Sequence, residues 1–526
     1  MKPACWDIDT ENLPVMRLLP PRNVELCGIY GRSYAYYSLK DRLPVILTKI
    51  IDHLSRERKG GSEEDIRNYI QFITKLKSDL VTNKYYDDFT VDTAEGKKWN
   101  QWIADLDNKR YFMNTWLFTE CYVYRKLREG CELSKGLQNF DPFEDQKQKS
   151  FQDTAELMCI VADKVTTMLP KSEKDKRKAD FIALLKLLVD DTGKIADQVV
   201  TKAENMAKAI EGNTTFKFKC SCHRLAKAAG MPICGVEVPP PPPPVKGAPP
   251  PAPAEPAPPG EEPPKIPCPA KMTIPQAVMF DIVCDNAGYE LFADLCLASF
   301  LVSQNIVQKV RFHVKKYPWF VSDVTVKDFK YVIDACAGCS YRREIAPEPK
   351  PEPAEAPPDP PRVISSDSLR QLAAQWKEHL DSGVFMPMAD DYWTYPHAYK
   401  DMKRYDYNMY RKLQYAVAIL FKGDLNYRKL LAEKNCNPAQ GFEPSLQGFI
   451  PAPIIACRTV KSELVCGLPR GKWELLSKAD ETWMQTGDYG VIQYCPKAEP
   501  LKPADKPCID YCDTCLGVIC PEHTDI

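Results

Sequence analysis

Two proline-rich segments decide how this chain can fold. Val238 to Pro269 and Ala346 to Pro361 together hold 25 of its 47 prolines. Proline offers no backbone N–H, so neither stretch can join a helix or a sheet interior, and neither carries enough apolar area to bury. Both read as extended polyproline-like coil, serving as a spacer or as a docking ligand for proline-binding modules. They divide the 526 residues into an N-terminal extension (1–34), a mainly helical domain (35–237), the first proline segment (238–269) and a first α/β part (270–345). The second proline segment (346–361), a second α/β part (362–496) and a Cys-rich tail (497–526) complete the chain.

Before the first proline segment the apolar spacing is helical. After Asp41, Leu43, Ile46, Leu47, Ile50, Ile51 and Leu54 repeat every three to four residues, with Pro44 placed for a first turn. "IRNYIQFITKLKSDLV", "WLFTECYVYRKLRE" and "KADFIALLKLLVDDTGKIADQVV" repeat that signal. Beyond it the pattern changes to short apolar runs alternating with helical spacing: "AVMFDIVCD", "VQKVRFHVK", "QYAVAILFKGD", "PIIACRTVKS" and "GVIQYC". That alternation predicts an α/β fold, a mostly parallel sheet covered on both faces, with the helical domain beside it.

In such sheets ligands bind at the carboxyl ends of the strands. The first four runs end in polar residues there: Asp285-Asn286, then Asp323, then a loop from Asp424 to Arg428, then Arg458 to Lys461. Two carboxylates and an amide oxygen make a hard-oxygen site for Mg²⁺ or Mn²⁺. Asp-Asn-Ala-Gly is equally a helix N-cap, since both side chains satisfy free amides. Arg428 and Lys461 stand beside those carboxylates, and a metal with cations is what a phosphoryl group needs; each alone reads as a surface charge.

Composition removes other classes. A net charge of −1 points to no nucleic acid and no anionic membrane surface. No stretch approaches the roughly 18 apolar residues of a spanning helix, and the start lacks a signal-peptide run, so the expected compartment is the cytoplasm, extending to the nucleus. The 21 cysteines are an odd number, many in apolar runs, and fit a reducing compartment with free thiols. Cys508, Cys512, Cys515, Cys520 and His523 have irregular zinc-like spacing, as do the lone Cys336–Cys339 pair and Cys220, Cys222 and His223. The chain contains no G-x-G, so the glycine-rich turn of a dinucleotide site is missing, and "GLPRGKW" falls one residue short of a phosphate loop. Six histidines and no H-E-x-x-H argue against a histidine-rich metal centre, though His397 could line a pocket.

The pieces "KDRLPVILTKIIDHL", "WLFTECYVYRKL", "DNAGYELFADL", "YPWFVSDVTVKDF", "WTYPHAY", "LFKGDLNYRKL", "RTVKSELVCGL" and "WMQTGDYGVIQY" stand in one order between Ser33 and Tyr494. In them the chain resembles the damage-control phosphatases of subfamily three, also described as acidic-residue methyltransferase 1-like proteins. The resemblance implies a helical domain packed on an α/β/α sandwich, and metal-dependent hydrolysis of phosphorylated metabolites such as fructose 1-phosphate or fructose 6-phosphate. It implies Asp285, Asn286 and Asp323 as ligands of Mn²⁺ or Mg²⁺, with Co²⁺ or Ni²⁺ as other candidates, and Asp285 and Asn286 as catalytic. Substrate contacts would be Asp424, Leu425, Asn426, Tyr427, Arg428 and Lys461, with Glu120 and Arg458 as additions. A second activity attributed to the family is S-adenosylmethionine-dependent methylation of protein carboxylates, against which the missing Gly-rich turn speaks. A scaffold that captures partners through its proline segments is a third reading.

Overall fold

The computed structural model describes residues 6–10, 13–16, 19–57, 61–171, 192–211, 277–345 and 362–499, with the single positions 176 and 179. Both proline segments, the C-terminal cysteines and the Cys220–His223 group lie outside the described residues. So does the stretch 180–191, part of a run read above as helical.

The N-terminal half is built from helices whose ends the sequence marks. α1 (Leu43–Glu57) follows a five-residue π-helix, Ser38–Arg42. α2 (Glu63–Val81) opens on a capping box in which Ser62 and Asp65 satisfy each other's free amides. α3 (Ala94–Ala104) and α4 (Trp116–Leu133) begin at Thr93 and Thr115, whose hydroxyls accept first-turn amides. α5 (Glu144–Asp153), α6 (Ala155–Met168) and α7 (Thr192–Glu211) follow. α4 is buried along most of its length, so its polar residues Glu120, Arg125, Lys126 and Glu129 are enclosed and paired.

The second half is the expected α/β arrangement. β1 (Met279–Val283), α8 (Tyr289–Ser303), β2 (Lys309–His313), α9 (Val326–Ala337), α10 (Asp367–Asp381) and β3 (Phe385–Met388) form one wing. α11 (Tyr407–Gln414), β4 (Ala416–Lys422), α12 (Gly423–Leu430), β5 (Ile454–Thr459), α13 (Lys472–Ala479) and β6 (Gly490–Cys495) form the other. Neighbours in the six-stranded sheet run β6-β5-β4-β1-β2-β3, all parallel except the antiparallel edge strand β6. All seven residues of β4 are buried, as a central parallel strand requires.

The five apolar runs became β1, β2, β4, β5 and β6. β3, "FMPM", was not among them, because Pro387 reads as a breaker. It is tolerated since β3 is the sheet's edge. Two further antiparallel hairpins, Trp6–Thr10 with Leu13–Met16 and Arg342–Ile345 with Arg362–Ser365, lie outside the main sheet. The run after β4 is a helix, α12, where a loop was expected. Helical half and sheet share one core: Leu26, Trp116 and Leu127 pack in the same cluster as Tyr317, Trp319, Leu425 and Leu464. Among the described residues no helix is long and apolar enough to cross a membrane.

Candidate active site

The strand order reverses between β1 and β4, which lie side by side while the chain winds away from them in opposite directions. A crevice opens at the carboxyl end of such a switch point. Asp285 and Asn286 lie just beyond β1, and α12 starts where β4 ends. The Asp285 carboxylate lies directly over the Cα of Gly423, where any Cβ would collide with it, and Gly423 has φ +81. This position therefore requires glycine twice, for contact and for conformation.

A second loop brings Asp323 to the same place. Asn286 and Asp323 form an isolated bridge; the Val324 amide donates to the Asp285 carbonyl at 2.9 Å, and the Ala287 amide to the Ser322 carbonyl at 2.8 Å. Just before it, Phe320 (φ 43) and Val321 (φ 71) are left-handed. For a β-branched residue that is strained backbone, the kind found where a site fixes its loops. Asp323 is 2% exposed, its Oδ2 3.3 Å from the buried Lys315 ammonium. Burial pushes its carboxyl up to about 6 despite Lys315. Burial, with Glu290 and Asp323 nearby, raises Asp285 well above the usual carboxylate range, against the pull of Lys315 and Lys461.

Three further charged groups complete the cluster. The Asn286 amide donates to Asp285 Oδ2 at 2.7 Å and to Glu290 Oε2 at 2.8 Å, while its oxygen accepts from the Ser322 hydroxyl. Lys422 bridges Glu290 Oε1 at 3.0 Å and Asp294 Oδ1 at 2.7 Å. Burial pushes Asp294 up to about 6, whereas Lys422 and the Asn286 amide overcome burial and hold Glu290 below its ordinary value. Sequence reading missed Glu290, Asp294 and Lys422. The spacing of Glu290 and Asp294, four apart on one face of α8 just after Asn286, was the available signal for those two.

α12 sorts the remaining expected residues. Its first turn carries no side-chain cap, so backbone amides at Gly423, Asp424 and Leu425 are open at the crevice end. The Asp424 carboxylate accepts from Arg458 Nε at 2.8 Å and lies 2.7 Å from Nη2 in the same ion pair. Leu425 is buried in the shared core. Asn426 donates to the Lys422 carbonyl at 2.7 Å and accepts from the Tyr399 hydroxyl at 2.6 Å; Tyr427 donates to Gln493 at 2.7 Å. Arg428 is 2% exposed, stacks on Trp116 with 3.4 Å to the ring centre, and pairs with Glu120 and Glu433 at 2.6 Å each. Glu120 also accepts from Ser38 Oγ at 2.8 Å. Thus Asn426, Tyr427, Arg428, Arg458 and Glu120 face inward onto protein partners. Lys461 is exposed at the end of β5, and its charge reaches Asp285 and Glu290.

The donor set suits a hard divalent cation. Asp323 Oδ2 is buried without a hydrogen bond, and two carboxylates raised by burial, each with the Glu290 charge nearby, are groups a cation would relieve. Among the described residues no three His, Cys, Asp or Glu are grouped to hold a metal; beside the Asp285 carboxylate lies the Asn286 amide.

Fold and site define a class: an α/β protein with an acidic, oxygen-rich site at its topological switch point. Residues 38–216 and 270–476 match the damage-control phosphatase ARMT1-like domain, and the chain belongs to that family. It is 28% identical over 508 residues to the damage-control phosphatase ARMT1 of Danio rerio, covering 91% of this chain and 97% of that protein. The Rattus norvegicus protein of that name is 29% identical over 492 residues (88% and 96%), and the Homo sapiens one 28% over 484 (88% and 96%). Membership in this family supports phosphatase activity in metabolite repair.

Proposed function

We propose that this chain is a divalent-metal-dependent phosphatase acting on small sugar phosphates, with fructose 1-phosphate and fructose 6-phosphate as the substrates to try first. One observation carries the reading. Asp285, Asn286 and Asp323 converge beside the uncapped start of α12, so a hard-cation donor set and an anion-binding helix end share one crevice.

Asp285, Asn286 and Asp323 would hold Mn²⁺ or Mg²⁺, which when bound supplies positive charge against phosphoryl oxygens. The open amides of Asp424 and Leu425 offer hydrogen bonds to the phosphate, and this explains how a buried Leu425 can contact substrate. Lys461 adds an exposed cation at the mouth. Asn426 and Tyr427 hold α12 against the strand ends, and Arg458 fixes the Asp424 carboxylate where sugar hydroxyls would lie. Lys315 and Lys422 hold Asp323 and Asp294 in place and oppose the burial that favours their neutral forms.

The test is a phosphate-release screen over sugar phosphates and nucleotides, with EDTA and added Mn²⁺ as controls. Turnover on a sugar phosphate that EDTA abolishes and Mn²⁺ restores is expected, with Asp285→Asn at least about 100-fold slower. Turnover indifferent to EDTA, or an Asp285→Asn variant with full activity, would overturn the assignment.

A further inference from the structure

The cations around the crevice fall into two groups. Lys315, Lys422, Arg428 and Arg458 are all under 10% exposed, and each is paired with a carboxylate. They hold the protein's own acids in place. Arg42 is different: it is exposed, at the end of the π-helix Ser38–Arg42, and has no ion pair with a described residue.

Several contacts fix where Arg42 stands. Ser38, four residues earlier on the same short helix, donates to Glu120 Oε1, so that helix lies against the carboxylate that holds Arg428. The Tyr34 amide donates to Glu463 Oε1 at 2.8 Å, which ties the same segment to the loop carrying Lys461. Tyr124 stacks on Phe320, at 4.6 Å between ring centres, in the strained loop that delivers Asp323. Tyr124 feels the charges of Arg42, Glu120 and Asp323 alike, and Tyr34 those of Arg42 and Asp424. The segment carrying Arg42 is therefore tied to α4 and to the loop of Lys461, and α4 in turn to the loop of Asp323. A π-helical turn, a costly interruption that recurs at functional positions, carries Arg42.

We propose that Arg42 is a substrate-binding residue contributed by the helical half: its guanidinium grips phosphoryl oxygens from the side opposite Lys461. A planar, always-charged fork suits a phosphate; Arg42 feels the Glu120 charge without forming an ion pair with it, whereas Arg428 and Arg458 are already engaged. Helical half and sheet then each contribute one exposed cation to a single anion. This clamp rests on the phosphatase reading for its substrate, though its anion can be measured without turnover.

Inorganic phosphate is the probe, titrated calorimetrically into the full-length wild type, Arg42→Ala and Arg42→Lys, each with Mn²⁺. Arg42→Ala should bind phosphate at least tenfold more weakly, Arg42→Lys should recover part of the loss, and the unfolding midpoints should match. In turnover, KM for the best sugar phosphate should rise by a similar factor while kcat changes less. Equal phosphate affinity in wild type and Arg42→Ala would overturn the proposal, as would wild type that binds no phosphate. A loss accompanied by a lower unfolding midpoint would instead place Arg42 in the Glu120 network as a structural residue. Failure of the function itself would look different: Arg42-dependent phosphate binding with no release from any phosphomonoester.

Discussion

Gly423 shows how much a single hydrogen can carry. Alanine there would put a methyl group into the Asp285 carboxylate and force a left-handed conformation, which alone costs roughly 1–2 kcal/mol. Gly423→Ala is expected to fold with a modest stability loss yet reduce phosphate release by about 100-fold, because Asp285 must move. Activity within threefold of wild type would mean that Asp285 is not held as described. His397 makes a separate, acid-side prediction. It lies flat on Tyr405 with 3.5 Å between ring centres and edge-on to Trp102 at 4.5 Å, with Nε2 buried and unbonded. Burial, then the charges of Lys429 and Arg404, lower its pKa from 6.5 to about 3. Between those two values the unfolded chain binds a proton the folded chain refuses, so stability is complete above pH 6.5 and falls as pH drops through it. At pH 5 the loss approaches about 2 kcal/mol. Urea unfolding at pH 7 and pH 5 should show that slope reduced in His397→Phe, and an unchanged slope would refute this account.

At the scale of elements, α12 turned one sequence motif into two layers. Read as a loop, Asp424 to Arg428 offered five polar or exposed groups to a ligand. As a helix it leaves its first amides open and sends Asn426, Tyr427 and Arg428 inward. Arg428 stacks on Trp116 and joins Glu120 of α4, 308 positions away, to Glu433. Removing one member of a buried charge set strands the others, at about 3–5 kcal/mol. Arg428→Met should therefore lower the unfolding free energy by that amount, with KM in the remaining folded enzyme within a few-fold of wild type. Unchanged stability with a large rise in KM would return Arg428 to the substrate. The partition explains what could be read in advance. That Asp285, Asn286 and Asp323 would lie together was legible because they follow neighbouring strands at the same end of a parallel sheet. Glu290 and Asp294 were hidden because they read as the polar stripe of an ordinary helix, and Lys422 because it closes an apolar run. The partners of Arg428 lie too far along the chain for any local pattern, and the left-handed Val321 defies its own side-chain preference. β3 was lost to Pro387, which only an edge strand tolerates.

At the scale of the molecule, helical half and sheet are one cooperative body because they share a core through Trp319, Leu425 and Leu464. Three of the site's segments are anchored in it: Asp323 follows Trp319, Gly423 precedes Leu425, and Lys461 precedes Leu464. A ligand that ties those segments together must then stabilise both halves at once. Under the proposed metal site, Mn²⁺ at 100 times its dissociation constant contributes about 2.7 kcal/mol to the folded state. For about 390 residues unfolding together that is a rise of about 3 °C in the melting midpoint. Helical signal from far-ultraviolet circular dichroism and tryptophan fluorescence should shift together, EDTA should reverse the shift, and Asp285→Asn should abolish it. The readout is independent of turnover, so an enzyme inactive on every sugar phosphate tried would still report its metal. Two transitions moving separately would instead show that the shared core does not couple the halves.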